Sequence, residues 1–196
     1  MSKHNNLTLG IEAAVAGGSL SIFAGDREVA SFTNEQRVAR AEDLLGNIDT
    51  LLASNQIDKR ELSGVVVSAG PGSFTGIRIG IATAQGLGMG LKIPVLNVSL
   101  LHALAGSSSL RGDVVAQVPM GRGMVCVQRI QIETERLIET TDLQVVPEDM
   151  LETMPGRRLS PETFTQSLAT LLCIAARDPR IEKECAPIFV SKPESK

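Results

Sequence analysis

The residues that could do chemistry in this chain are concentrated in one stretch, Ser68 to Leu91, where seven of the eighteen glycines fall between Gly70 and Gly90. A short apolar run, Val65-Val66-Val67, leads into Gly70-Pro71-Gly72-Ser73 and then into a helical pattern. Strand, glycine turn and helix is the order in which free backbone N–H groups can cradle an anion. The standard fingerprints do not fit. A phosphate-binding loop needs Gly-Lys-Ser/Thr, and Gly76 is followed by Ile77. The dinucleotide pattern fails by one residue, since Gly70 and Gly72 are followed by Gly76, and a nucleophile elbow is absent because Ser73 directly follows Gly72. The competing reading is packing. Gly76, Gly80, Ala84 and Gly88 recur every four residues, and Ala82, Gly86 and Gly90 line a second face. Each glycine costs a helix about 1 kcal/mol relative to alanine, so close approach of another backbone must offset it, within the fold or against a partner.

Other chemical candidates are sparse. Glu12 ends an alternating run, Leu7 to Glu12, with no second acid nearby to complete a metal site. His102 follows Ser99 without an obvious Asp or Cys companion, and His4 lies in the polar first residues; two histidines exclude a His-based triad or an H-E-x-x-H protease. Arg78, the only charge in the glycine-rich helix, is expected to meet an acid, on a partner or within the fold. Arg122 and the Arg157-Arg158 pair suit RNA phosphate only as part of a larger complex. Cys126, Cys173 and Cys185 are odd in number and widely spaced, so reduced thiols are expected and neither a disulfide framework nor zinc.

Composition narrows the function classes. The chain is 43% hydrophobic and 21% charged, ordinary for a globular protein. It holds five Phe, no Tyr and no Trp, with 19 basic against 22 acidic residues, which argues against an autonomous RNA or DNA binder. The uncharged run Ile79 to Leu91 falls short of the ~20 apolar residues a membrane span needs. Residues 1–6 are polar and carry no signal core. A cytoplasmic protein with no membrane attachment is expected.

The elements that must position the glycine stretch follow from periodicity. Leu7 to Glu12, Ser19 to Ala24 and Glu28 to Phe32 read as three strands with short links. Thr33 and Gln36 fit a capping box, before a stripe of Val38, Ala41, Leu45, Ile48 and Leu52. The Val65 run is a strand covered on both faces. Phe74 to Leu91 is a helix, Pro94 to Val98 a strand and Leu100 to Ala105 a short helix. Gly106 to Gly112 is the expected lobe boundary. Beyond it, Val114 to Val118, Val125 to Ile132 and Leu137 to Thr140 read as a second meander, and Pro147 to Thr153 as a short helix. Ser160-Pro161-Glu162 opens a helix expected to reach Ala176, and Pro187 to Val190 a last strand. The result is an α/β protein in two unequal lobes, 7–106 and 107–190, with tails at 1–6 and 191–196.

Gly70 to Gly80, continuing through Ala82, Ala84, Gln85, Gly86 and Leu87, closely resembles the signature of the bacterial TsaB (YeaZ) family. Weaker resemblance runs from Leu7 to about Val127, and Ala186 to Val190 resembles the family's closing strand. The resemblance implies the actin-like ATPase (ASKHA, ribonuclease H-like) fold with a shortened second lobe. It implies a non-catalytic accessory subunit in threonylcarbamoyladenosine modification of tRNA, with TsaD and TsaE as partners, a homodimer when alone, and tRNA met only through the complex; the alternatives are a small actin-like phosphotransferase or ATPase and a diverged homodimeric regulatory protein without a TsaD partner. By the same resemblance, the two first-lobe helices form the partner interface, through Val38, Ala41, Leu45, Gly76, Arg78, Gly80, Ala84 and Gly88. The glycine-rich turn is Gly70, Pro71, Gly72, Ser73, Thr75 and Gly76. Several family positions differ. Ile11-Glu12-Ala13 replaces Ile-Asp-Thr, Arg40 takes the place of a histidine, and Pro119-Met120-Gly121 that of Asp-Ala-Arg. The segment from about Leu151 to Ser160 is expected to be too short for the family's glycine-rich strand. With these cleft charges changed, Glu12 is the one remaining nucleotide or metal candidate. No cofactor is expected in the chain itself, and ATP or ADP with Mg only in a complex.

Overall fold

The computed structural model describes residues 6–15, 17–33, 43–183 and 186–189. Among these residues, ten strands form two five-stranded sheets. The first has the order β3-β2-β1-β4-β5, built from β1 (Leu7–Glu12), β2 (Ser19–Ala24), β3 (Arg27–Thr33), β4 (Leu62–Ser68) and β5 (Val95–Val98). β1, β2 and β3 pair antiparallel, whereas β4 lies parallel to β1 and β5 parallel to β4. The parallel pairs require crossovers, which α1 (Leu44–Ser54) and α2 (Phe74–Leu91) supply. The expected helix α2 and the β4 strand are both present, β4 longer than the Val65 run alone. The part of the expected preceding helix that holds Gln36, Val38, Arg40 and Ala41 lies outside the described residues.

The second sheet has the order β10-β6-β7-β8, with β9 also paired to β7. Its strands are β6 (Gly112–Gly121), β7 (Met124–Ile132), β8 (Leu137–Glu139), β9 (Gln144–Pro147) and β10 (Arg157–Leu159). The sequence reading missed β9 and β10. Contrary to expectation, the Leu151 to Ser160 segment does hold a strand, for Gly156 at φ +121° turns the chain so that Arg157 to Leu159 pairs parallel with Val114 to Ala116.

Between the sheets lie α3 (Leu100–Ser107) and α4 (Leu168–Ala175), giving alternating layers of helix and sheet. Leu9, Ile11, Val65 and Val67 of the first sheet bury against Ile48 and Leu52 of α1 and Ile77, Ile81 and Ala84 of α2. Val66 and Val98 face the other way and share one core with α3, α4 and the inner residues of β6 and β7. Consecutive burial of Val65, Val66 and Val67 is therefore the mark of a strand with helices on both faces.

Contacts cross the expected boundary at residue 106. α3 runs on to Ser107, and α4 returns from the second half to rest directly on β1. A Cβ at Gly10 would stand 2.6 Å from Cys173 Sγ and 2.7 Å from the Ala169 carbonyl. The Ala169 N–H donates to Ser19 Oγ (3.0 Å), and Glu28 accepts from Ser21 Oγ and Thr170 Oγ1. The helix expected from Ser160 to Ala176 is broken. Ser160 caps only a 3₁₀ turn, Pro161–Thr163, and α4 starts afresh at Ser167, whose Oγ accepts from the Thr170 N–H. Two N-cap serines divide the segment, with β-branched Thr163 and Thr165 between them. Residues 186–189 form no strand, since Pro187 has no N–H and the segment joins the sheet region through a bond from Ile188 N to Ala69 O.

Candidate functional site: the glycine turn and the two faces of α2

At the carboxyl end of β4 the chain leaves the sheet through Gly70, whose φ of +96° suits glycine. Ser68 Oγ accepts from the Gly70 N–H, and the Gly70 carbonyl accepts from the Leu100 N–H, which ties the turn to α3. The Ser73 N–H donates to the Ala14 carbonyl (2.6 Å), which ties it to the turn after β1. Ser73 Oγ then caps α2 by accepting from the Gly76 N–H (3.3 Å). The turn is thus a junction of three chain segments, and much of its hydrogen-bonding capacity serves that junction.

The glycine stripe of α2 faces the fold. A Cβ at Gly72 would overlap the Ala14 carbonyl, one at Gly76 the Ala13 carbonyl, and one at Gly88 the Val95 side chain. Gly80 meets Ala13 and Val67 at 3.5 Å, and Ala84 is fully buried. Gly76, Gly80, Ala84 and Gly88 are therefore corrected from a partner surface to an internal one. Periodicity shows that a face is small but not which side it takes. The outward stripe consists of Phe74, Arg78, Ala82, Gln85, Gly86 and Met89. Phe74 is 56% and Met89 83% exposed, and a Cβ at Gly86 or Gly90 meets open space. Leu45, in the same layer on α1, is also exposed.

Arg78 meets a ring rather than the expected acid. Its guanidinium carbon lies 5.1 Å from the Phe74 centroid, and Phe74 packs against Phe189 with centroids 4.9 Å apart. The sequence reading missed Phe189 as a site residue; its ring type was visible, but its pairing across most of the chain was not. His102, read as having no obvious Asp or Cys companion, has Nε2 2.7 Å from Glu139 Oε1 on β8. Arg157 and Arg158 each donate to a main-chain carbonyl, of Arg111 and Leu151, so part of their capacity for phosphate is spent within the fold.

Glu12 is buried at the end of β1, with one carboxylate oxygen accepting from the N–H groups of Ala14 (2.5 Å) and Val15 (2.9 Å). Burial raises its pKa to about 7 despite those two bonds. Among the described residues no group of three or more His, Cys, Asp or Glu is placed to hold a metal ion. A hollow of about 400 Å³ lined by Leu7, Arg27, Asn55, Gln56 and Ile57 lies at the opposite end of β1.

The fold and this junction define an actin-like α/β protein. Residues 32–166 match the family described as "TsaD: tRNA N6-adenosine threonylcarbamoyltransferase". The chain belongs to that family, and within it to TsaB (YeaZ). Among its relatives, the tRNA threonylcarbamoyladenosine biosynthesis protein TsaB of Buchnera aphidicola is 33% identical over 52% of this chain and 45% of its own length. That of Haemophilus influenzae is 33% identical over 51% and 42%. The uncharacterized protein ML0378 of Mycobacterium leprae is 39% identical over 50% and 29%. The chain thus spans less than half the length of these curated relatives. The solved structure of YeaZ from Pseudomonas aeruginosa superposes with a TM-score of 0.70 at 20% identity, covering 94% of this chain and all of that one. A magnesium nucleotide, which an actin-like ATPase fold implies, does not fit the residues at this end of the sheet, because Glu12 is turned inward onto its own backbone.

Proposed function

We propose that this chain is a non-catalytic accessory subunit in threonylcarbamoyladenosine modification of tRNA, acting by dimerising with and stabilising a TsaD-type subunit. The observation that carries the reading is the outward face of α2. It sets two large apolar side chains, Phe74 and Met89, on either side of a flat centre at Ala82 and Gly86, with Arg78 as its charge. Leu45 on α1 is a further exposed apolar side chain. A partner helix can lie close over such a centre, and its acid would take Arg78 from the Phe74 ring. The names of the TsaB relatives support the pathway, and the inward-turned Glu12 supports the lack of independent catalysis. TsaE joins through the complex, tRNA is met there, the chain pairs with itself when alone, and ATP or ADP with Mg enters only with TsaD. The setting is the cytoplasm.

Co-purification with the TsaD of the same organism, followed by a reconstituted modification assay, tests this. Phe74→Ala with Met89→Ala is expected to weaken the association at least tenfold, since removal of two central anchors costs about 1.4 kcal/mol or more. No complex and no stimulation of modification by the unaltered chain would overturn the reading.

A further inference from the structure

We propose that residues 186–189 are part of the partner-facing surface, where Phe189 and Phe74 form one aromatic anchor for a partner helix whose carboxylate pairs with Arg78. The inference rests on the reading of the α2 face given above. The segment is clamped by its backbone. The Ile188 N–H donates to the Ala69 carbonyl (2.7 Å), and the Ile188 carbonyl lies 2.9 Å from where a Cβ at Gly70 would stand. Gly70 thus lets the segment sit directly on the junction that opens α2. The next residue carries its ring onto Phe74, with centroids 4.9 Å apart and the planes tilted by 51°.

The two rings do not bury each other. Phe189 is 49% and Phe74 56% exposed, so their contact enlarges an apolar patch instead of closing one. Single exposed apolar side chains are ordinary on a soluble protein. Two adjoining rings with a guanidinium against one of them have the composition of an interface centre, rich in aromatics and arginine. Arg78 lies one turn along α2 from Phe74, its guanidinium carbon 5.1 Å from the ring centroid. Among the described residues it forms no ion pair. A guanidinium stacked on a ring keeps its N–H edge for a carboxylate. No acid occurs between Phe74 and Leu91, so α2 of a second copy cannot supply that carboxylate. The occupant is therefore a different helix, one with an acid set among apolar residues.

Calorimetric titration with the TsaD-type subunit of the same organism tests this on the unaltered chain, Phe189→Ala, Phe74→Ala, the double variant and Arg78→Gln. Phe189→Ala should weaken the complex about five- to tenfold and leave Tm unchanged, because the backbone clamp stays. The double variant should lose less than the product of the two single losses, since rings in contact act as a unit. Arg78→Gln should weaken the complex and reduce its salt dependence. If Phe189→Ala lowers Tm, hydrogen exchange of the unaltered chain decides: residues 186–189 should exchange at least about threefold more slowly in the complex, and unchanged exchange overturns the proposal. Full affinity in Phe189→Ala, losses that multiply, or an Arg78→Gln complex with unaltered affinity and salt dependence each overturn it while the proposed function stands. No complex with the unaltered chain overturns that function and this inference together.

Discussion

The two faces of α2 are built from similar residues and do opposite things. Its inner face uses Gly76, Gly80, Ala84 and Gly88 to bring the helix onto the backbone of the β1 turn and onto Val67 and Val95. Its outer face has Gly86 in open space between exposed Phe74 and Met89, and Gly90, just past Met89, is open too. On the inner face glycine is required because a carbonyl or side chain occupies the space a Cβ would take. On the outer face the fold makes no such demand, so the cost of glycine is uncompensated within the chain. The same residue type therefore reports packing on one side and leaves room for a partner on the other.

The largest test of this contrast is Gly76→Leu. A Cβ there overlaps the Ala13 carbonyl, which is backbone and cannot swing aside. Loss of more than about 4 kcal/mol is expected, read as absence of a cooperative transition by circular dichroism.

Next is the pH dependence carried by Glu12 at the same contact. Its pKa is 4.5 ordinarily and about 7 in the folded chain. Between those values the folded state holds a proton that the unfolded state has released. Stability from this group is full below pH 4.5 and falls as pH rises through 7, by about 3 kcal/mol in all. Urea unfolding across that range measures it, and Glu12→Gln should flatten the fall.

The smallest effects separate the two faces most directly. Gly88→Ala, against Val95, is expected to cost about 2 kcal/mol. Gly86→Ala, in open space, should gain about 0.5–1 kcal/mol. Urea midpoints of the pair decide it; equal signs would remove the contrast.

Much of the fold is legible locally. The alternation of Leu7, Leu9 and Ile11, the Val65 run and the Ser73 cap each carry their own period or signal, and β1, β4 and α2 stand where these place them. β9 and β10 are short strands of four and three residues, held by pairing to β7 and β6 rather than by a period of their own. The α4 helix follows its own N-cap, Ser167, and rests on β1; the stronger start signal at Ser160-Pro161 hid that second cap. The site was legible in part. The glycine turn announced itself, but the direction of the glycine stripe depends on the Ala13 and Ala14 carbonyls, which are main-chain groups with no sequence signature.

The seating of Cys173 on Gly10 makes this joint chemically readable. Burial pushes the Cys173 thiol up to about 12, and that of Cys126 on β7 likewise. Alkylating reagents attack thiolates, so each sulfur is silent while its own packing is closed. Lifting α4 from β1 would return Cys173 toward an ordinary thiol and start its modification. Cys126 lies in the core that α3 and α4 share with β6 and β7, and its labelling reports the opening of that core. The rates at which the two sulfurs are labelled are thus clocks for the opening of two different joints, set by the chain with no added probe.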